Sequence, residues 1–256
     1  MQNDIFSGLP SGSLFTVSWR GSRRPERREA DQAHALEMGE MYYFGQGAEQ
    51  NLTKAAKWFR KAAAEGDAEA QRFMGEAFRY GRGVEQDYQE ALGWFLKSAL
   101  QGNASAEAQL GDMHLFGLGT EKNNDEAFSW YLKAAEHGNA EAQNNVAFLF
   151  INGLGTEKDD AKAAEWYRKA AEQGIAQAEN ALGCLLRDGQ GVPQDYTEAL
   201  SWFRKAAEQN FAEAERNLGG MYLSGLGVGK DPEEGLRWIR KASEDEEARE
   251  ERSSGD

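Results

Sequence analysis

The chain has 256 residues, 40% of them hydrophobic, with four prolines, one cysteine and a formal net charge of -14; its pI is about 4.8. So acidic a molecule disfavours nucleic acid and anionic membrane surfaces as partners, because any basic patch would work against the overall field. A lone Cys184 excludes an internal disulfide and points to a reducing, cytoplasmic setting, and no stretch is long and apolar enough for membrane insertion.

Residues 1–30 mix Gly, Ser and Pro with a basic cluster, Arg20, Arg23, Arg24, Arg27 and Arg28. They are expected to form a disordered leader. Apolar positions within it, among them Phe6, Leu14, Phe15 and Trp19, also suit docking on the rest of the chain or on a second molecule. A monomer is the expectation, with leader-mediated association as the variant.

From Asp31 on, the chain repeats. Trp58, Trp94, Trp130, Trp166, Trp202 and Trp238 follow one another at intervals of 36 residues, each with a lysine three residues later. The same interval carries a glycine pair, from Gly45 and Gly47 through to Gly225 and Gly227. Units of this size cannot bury a core alone, so six in phase predict stacked helical hairpins, one all-α solenoid domain over 31–245.

The fourth unit shows the plan. A first helix after Asn139 carries Val146, Phe148, Leu149 and Phe150 at helical spacing and ends near Asn152. Gly153 and Gly155 then supply the positive φ of a sharp reversal. A second helix after Asp159 carries Ala163, Ala164, Trp166, Tyr167, Ala170 and Ala171 and stops at Gly174. Asp87, Asn123, Asp159, Asp195 and Asp231 stand at N-cap positions, and Glu90, Glu126, Glu198 and Glu234 three residues further on predict capping boxes. Gly66, Gly102, Gly138, Gly174 and Asn210 mark the ends of second helices. Beyond Lys241 the pattern fades, and 246–256 are expected to form an acidic tail or polar cap.

The run from Leu182-Gly183 through Gly189-x-Gly191-Val192 to Asp195-Tyr196-x-Glu198-Ala199-x-x-Trp202-Phe203-x-Lys205-Ala206-Ala207 closely resembles the Sel-1-like repeats, relatives of the tetratricopeptide repeats. The resemblance covers roughly residues 31–245. It implies a right-handed α/α superhelix acting as an adaptor for other proteins, and it names no particular partner. Departures are local: Ala147 for the first-helix glycine, His114 and Leu186 for an aromatic, and Ile239 after the last Trp.

Catalytic groups do not converge in this pattern. No Ser precedes a Lys by three residues, His114 takes an aromatic core slot, and His137 suits a helix C-terminus by its charge. Paired cysteines, His-x-Glu and oxygen-rich calcium loops are missing from the sequence, so no metal or cofactor is expected. The glycine pairs lie between two helices, whereas phosphate-cradling loops follow a strand. The expectation is a protein-interaction scaffold without enzymatic activity. Two alternatives stay open: a β-lactam-binding, hydrolase-like protein, as some disulfide-bearing relatives suggest, and an inhibitor or immunity protein that occludes a toxic enzyme.

Positions repeated in every unit build the solenoid, so partner choice is expected from first-helix positions that vary on the concave side. Candidates are Arg72, Glu76, Arg79 and Tyr80 in the second unit, Leu115 and Phe116 in the third, Asn144, Phe148 and Ile151 in the fourth, Asn180 and Arg187 in the fifth and Arg216 in the sixth. The arginines suit carboxylates, the asparagines an extended backbone, and the apolar centre aromatic anchoring. A partner protein or peptide with an apolar middle and acidic ends is therefore expected in the groove. The competing expectation is that the charges only solvate this face while Phe116 and Phe148 pack between helices. Reversal of Arg72 and Arg187 to Glu is expected to leave thermal unfolding unchanged.

Overall fold

The computed structural model describes residues 25–254, so the disorder and docking expected of residues 1–24 fall outside the described residues. Twelve helices and no strand are found among the described residues. They are α1 (Pro25–Phe44), α2 (Leu52–Ala64), α3 (Ala68–Tyr80), α4 (Tyr88–Ala99), α5 (Ala104–Phe116) and α6 (Asn124–Glu136), then α7 (Ala140–Asn152), α8 (Asp160–Glu172), α9 (Ala176–Asp188), α10 (Tyr196–Glu208), α11 (Ala212–Ser224) and α12 (Pro232–Ser254). Two boundaries differ from those expected. Residues 25–30, assigned to the leader, already form the first turns of α1, and 246–254 continue α12 instead of leaving it as a tail.

The two helices of a repeat pack most closely, and each second helix packs on the first helix of the next repeat. The contact is made by a ring lying over a glycine. Phe59, Phe95, Tyr131 and Phe203 are at most 1% exposed, and a Cβ built on Gly39, Gly75, Gly111 or Gly183 would come within 2.7 Å of them. The fourth repeat departs here. Ala147 is fully buried in the glycine's place, and the facing Tyr167 is the most exposed ring of the row, at 7%. One extra methyl holds that ring outward.

The hairpin loop explains why two glycines recur. Gly153 ends α7 at φ 62°, its N–H donating to the carbonyl of Leu149. Gly155, at φ 68°, sits on the start of the preceding second helix, where a Cβ would lie 2.0 Å from the carbonyl oxygen of Asn124. The first glycine turns the chain and the second lets one repeat rest on the last.

The five predicted caps form, Asp159, for example, accepting from the Lys162 N–H at 2.9 Å, and Asn51 caps α2 in the same way. The expected capping boxes do not form. The backbone N–H of Asp87 donates to Phe78 O, that of Asn123 to His114 O, that of Asp195 to Leu186 O and that of Asp231 to Tyr222 O. Closing the hairpin consumes the donor that a capping-box glutamate would need. Freed of that task, Glu198 takes bonds from Arg168 and from the Trp202 indole.

Asn210, the one residue other than glycine with positive φ among those described, at 58°, replaces the stop glycine as expected. The lysine after every tryptophan also gains a reason. Each Nζ lies 3.7 to 5.8 Å from the centre of its own repeat's indole ring, a cation–π contact made six times.

Candidate functional site

Phe44, Tyr80 and Phe116 close α1, α3 and α5, and they are 54%, 48% and 64% exposed; Phe148 in α7 is 48% exposed. These four make up more than half of the seven exposed large hydrophobic residues among those described. All lie on first helices. Phe116 and Phe148 thus reach solvent instead of packing between helices. Phe44 was missing from the candidates although it stands 36 residues before Tyr80, the interval that marks it as the same position of the first repeat.

Around Phe116 and Phe148 the first helices leave a cleft of about 450 Å³. Asp112, Leu115, Tyr131, Asn144, Asn145 and Gln177 line it together with the two rings. The Tyr131 hydroxyl donates to Asp112 at 2.5 Å, and burial with that carboxylate pushes its pKa far up. Tyr131 is a neutral donor here, fixed as part of the wall. Ile151 is half-buried and packs against the core beside Leu115.

The arginines behave differently from the expectation. Arg72 lies between Glu69 and Glu76 and binds both. Although burial opposes its charge, those carboxylates raise its pKa. Arg79 reaches the next repeat, pairing with Asp112 at 2.9 Å and with Gln109. Arg187 holds Asp188 through two bonds, Nε at 2.7 Å and an Nη at 2.8 Å, and reaches Asn217 at 3.1 Å. Arg216 binds Glu246 at 2.6 Å. Each guanidinium already has an acidic partner within the chain, so none offers the bare fork that capture of an acidic peptide requires. Glu76 belongs to the Arg72 cluster. Asn180 is likewise engaged, accepting from Asn217 at 2.8 Å.

Near Glu40 the charge is less balanced. Its carboxyl is raised by burial and by Glu69, Glu37 and Asp67 around it, with Arg72 opposing. Cys184 is half-buried, and burial raises its thiol. A raised thiol is a poor nucleophile at neutral pH.

Sequence reasoning missed a buried polar pair that recurs within each repeat from the second on. Gln71, Glu107, Gln143, Glu179 and Glu215 recur every 36 residues and are at most 6% exposed. Gln101, His137, Gln173 and Gln209, each thirty residues later, bind the first four at 2.7 to 2.8 Å. Lys241 binds Glu215. The legible signal was a polar residue recurring within the apolar stripe of each first helix after α1.

The fold is thus a stack of helical hairpins with exposed aromatic residues on its first-helix face. The model of the Sel1 repeat matches residues 35–67, 68–103, 104–139, 140–175, 176–211 and 212–246, and the chain belongs to the Sel1 repeat family. It is similar to a crystallised protective antigen of uropathogenic Escherichia coli strains that displays an SLR fold, with 35% identity over 84% of this chain and a TM-score of 0.80. The chain spans about half of that antigen, 46% of its length. A Sel1 repeat protein from Oxalobacter formigenes is similar as well, at 34% identity over 85% of this chain and 87% of its own, with a TM-score of 0.73. No curated protein matches the sequence. Repeats of this family generally bind proteins. Among the described residues no helix is long and apolar enough to cross a membrane.

Proposed function

We propose that the chain is a non-catalytic scaffold that binds an extended segment of another protein along its first-helix face. The observation that carries this is the exposed series Phe44, Tyr80, Phe116 and Phe148, beside a cleft lined by Leu115 and Asn144. Rigid aromatic anchors supply most of the energy of such interfaces. Asn144 can pair with an extended backbone through amide donor and acceptor together. Because the arginines are engaged within the chain, the apolar centre selects the partner and acidic ends are not required. Action in the cytoplasm belongs to the same proposal and rests on the single cysteine.

Selection of a random-peptide display library on the immobilised chain tests it. Enriched peptides should share aromatic or aliphatic residues and should be lost when Phe116 and Phe148 are replaced by Ala. Enrichment that ignores both substitutions would contradict the assignment.

A further inference from the structure

The outer helices of the first three repeats carry a pattern the others lack. The positions that hold Lys57, Arg60 and Ala64 in α2, and Glu165, Arg168 and Glu172 in α8, hold Gly93 and Leu96 in α4 and Leu100 at its C-terminal cap. Leu96 is 42% and Leu100 75% exposed. Gly93 is exposed within the helix, and a Cβ there would meet nothing within 4 Å. An exposed mid-helix glycine costs about 1 kcal/mol against alanine, and no contact inside the chain demands it.

The flanks are charged oppositely. Helix α2 exposes Lys54, Lys57, Arg60 and Lys61 and has no acidic residue. Helix α6 exposes Asp125, Glu126 and Glu136 against the single Lys133. None of these side chains makes an ion pair among the described residues, unlike the arginines on the first-helix face. In α8 and α10, by contrast, acids and bases are equal in number.

We propose that α2, α4 and α6 form a two-fold interface with a second copy of this chain. A two-fold axis running along α4 sets Leu96 on Leu96 and Leu100 on Leu100, and Gly93 lets the two backbones approach. The same rotation lays basic α2 against the partner copy's acidic α6 on both flanks. This is the self-complementarity an isologous contact needs. Half-buried Leu132 extends the apolar strip. Helices about 20 Å long, three abreast, cover roughly 500 Å² per copy, near the lower bound for a specific interface. The dimer is therefore weak and reversible, in contrast to the monomer expected from sequence.

Sedimentation of the full chain between about 3 and 300 μM tests this, a range suited to a weak dimer. The mass should rise from 28.4 kDa towards twice that value. Leu96→Arg with Leu100→Glu installs side chains that α8 carries at the same places, so the fold is kept while the chain stays monomeric. Lys57→Glu with Arg60→Glu should weaken association at least about 10-fold, and adding Asp125→Lys with Glu136→Lys should restore it. A wild type that stays monomeric at about 300 μM would end the proposal and leave the strip to another chain. So would a leucine variant that still dimerises, or a charge reversal that α6 fails to rescue.

Discussion

His137, which closes α6, holds its Nδ1 2.7 Å from the carboxylate of Glu107 in α5. Glu107 is 3% exposed, and a buried carboxylate stripped of its partner is costly. His137→Ala should therefore destabilise the chain by about 1–3 kcal/mol. The double change Glu107→Gln, His137→Gln copies the pair Gln71–Gln101 and should recover most of that loss. Urea unfolding of the three variants checks both parts.

Glu179 offers a pH test. Burial raises its carboxyl, with the bond from Gln209 and the charge of Lys205 opposing. The folded chain thus binds that proton more tightly than the unfolded one, so stability falls as pH rises from the ordinary carboxylate range through the raised value. The penalty is present at neutral pH and absent in acid. Glu179→Gln should stabilise at pH 7 by up to about 1 kcal/mol, or roughly 2–4 °C in Tm. Below about pH 4 the variant should have no advantage. Thermal melts at the two pH values decide it.

Arg72 is no longer expected to be a silent position. It binds Glu69 and Glu76 with its side chain 14% exposed. Arg72→Glu would place three acids together and should cost about 1–3 kcal/mol. Exposed Arg60, changed in the same way, should stay within about 0.5 kcal/mol. Equal melting temperatures for the two variants would show the cluster to be irrelevant to folding.

A stop glycine and a hairpin glycine separate turning from seating. Gly138 has φ 88° with no atom within 4 Å of a built Cβ, whereas Gly155 has φ 68° and would meet the Asn124 carbonyl at 2.0 Å. Gly138→Ala should cost about 1 kcal/mol. Gly155→Ala should cost about 3 kcal/mol or more, because backbone must move as well. Chemical denaturation of both gives the comparison.

How much of this could be read beforehand follows from the range of each interaction. Helix ends, caps and turns are local, and Asp159, Gly153 and Asn210 were legible from their neighbours in sequence. The capping boxes failed because the donor of Asp87 goes to Phe78, nine residues back across the turn. Partners thirty or more residues apart, such as Arg79 with Asp112 or Arg187 with Asn217, depend on how one repeat settles on the next. No window within one repeat contains them. The candidate face was legible in its apolar centre, where exposure follows from period, and illegible in its arginines, whose availability is set by stacking.

Exposed first-helix aromatics are proposed to hold the partner. The most direct measurement is the affinity of a display-selected peptide for the wild type and for the Phe116→Ala, Phe148→Ala variant. Both rings are exposed, so the variant should melt within about 0.5 kcal/mol of the wild type. Loss of two anchors should weaken binding at least about 30-fold, at 1 kcal/mol or more for each. Unchanged affinity in a variant that folds normally would contradict the account.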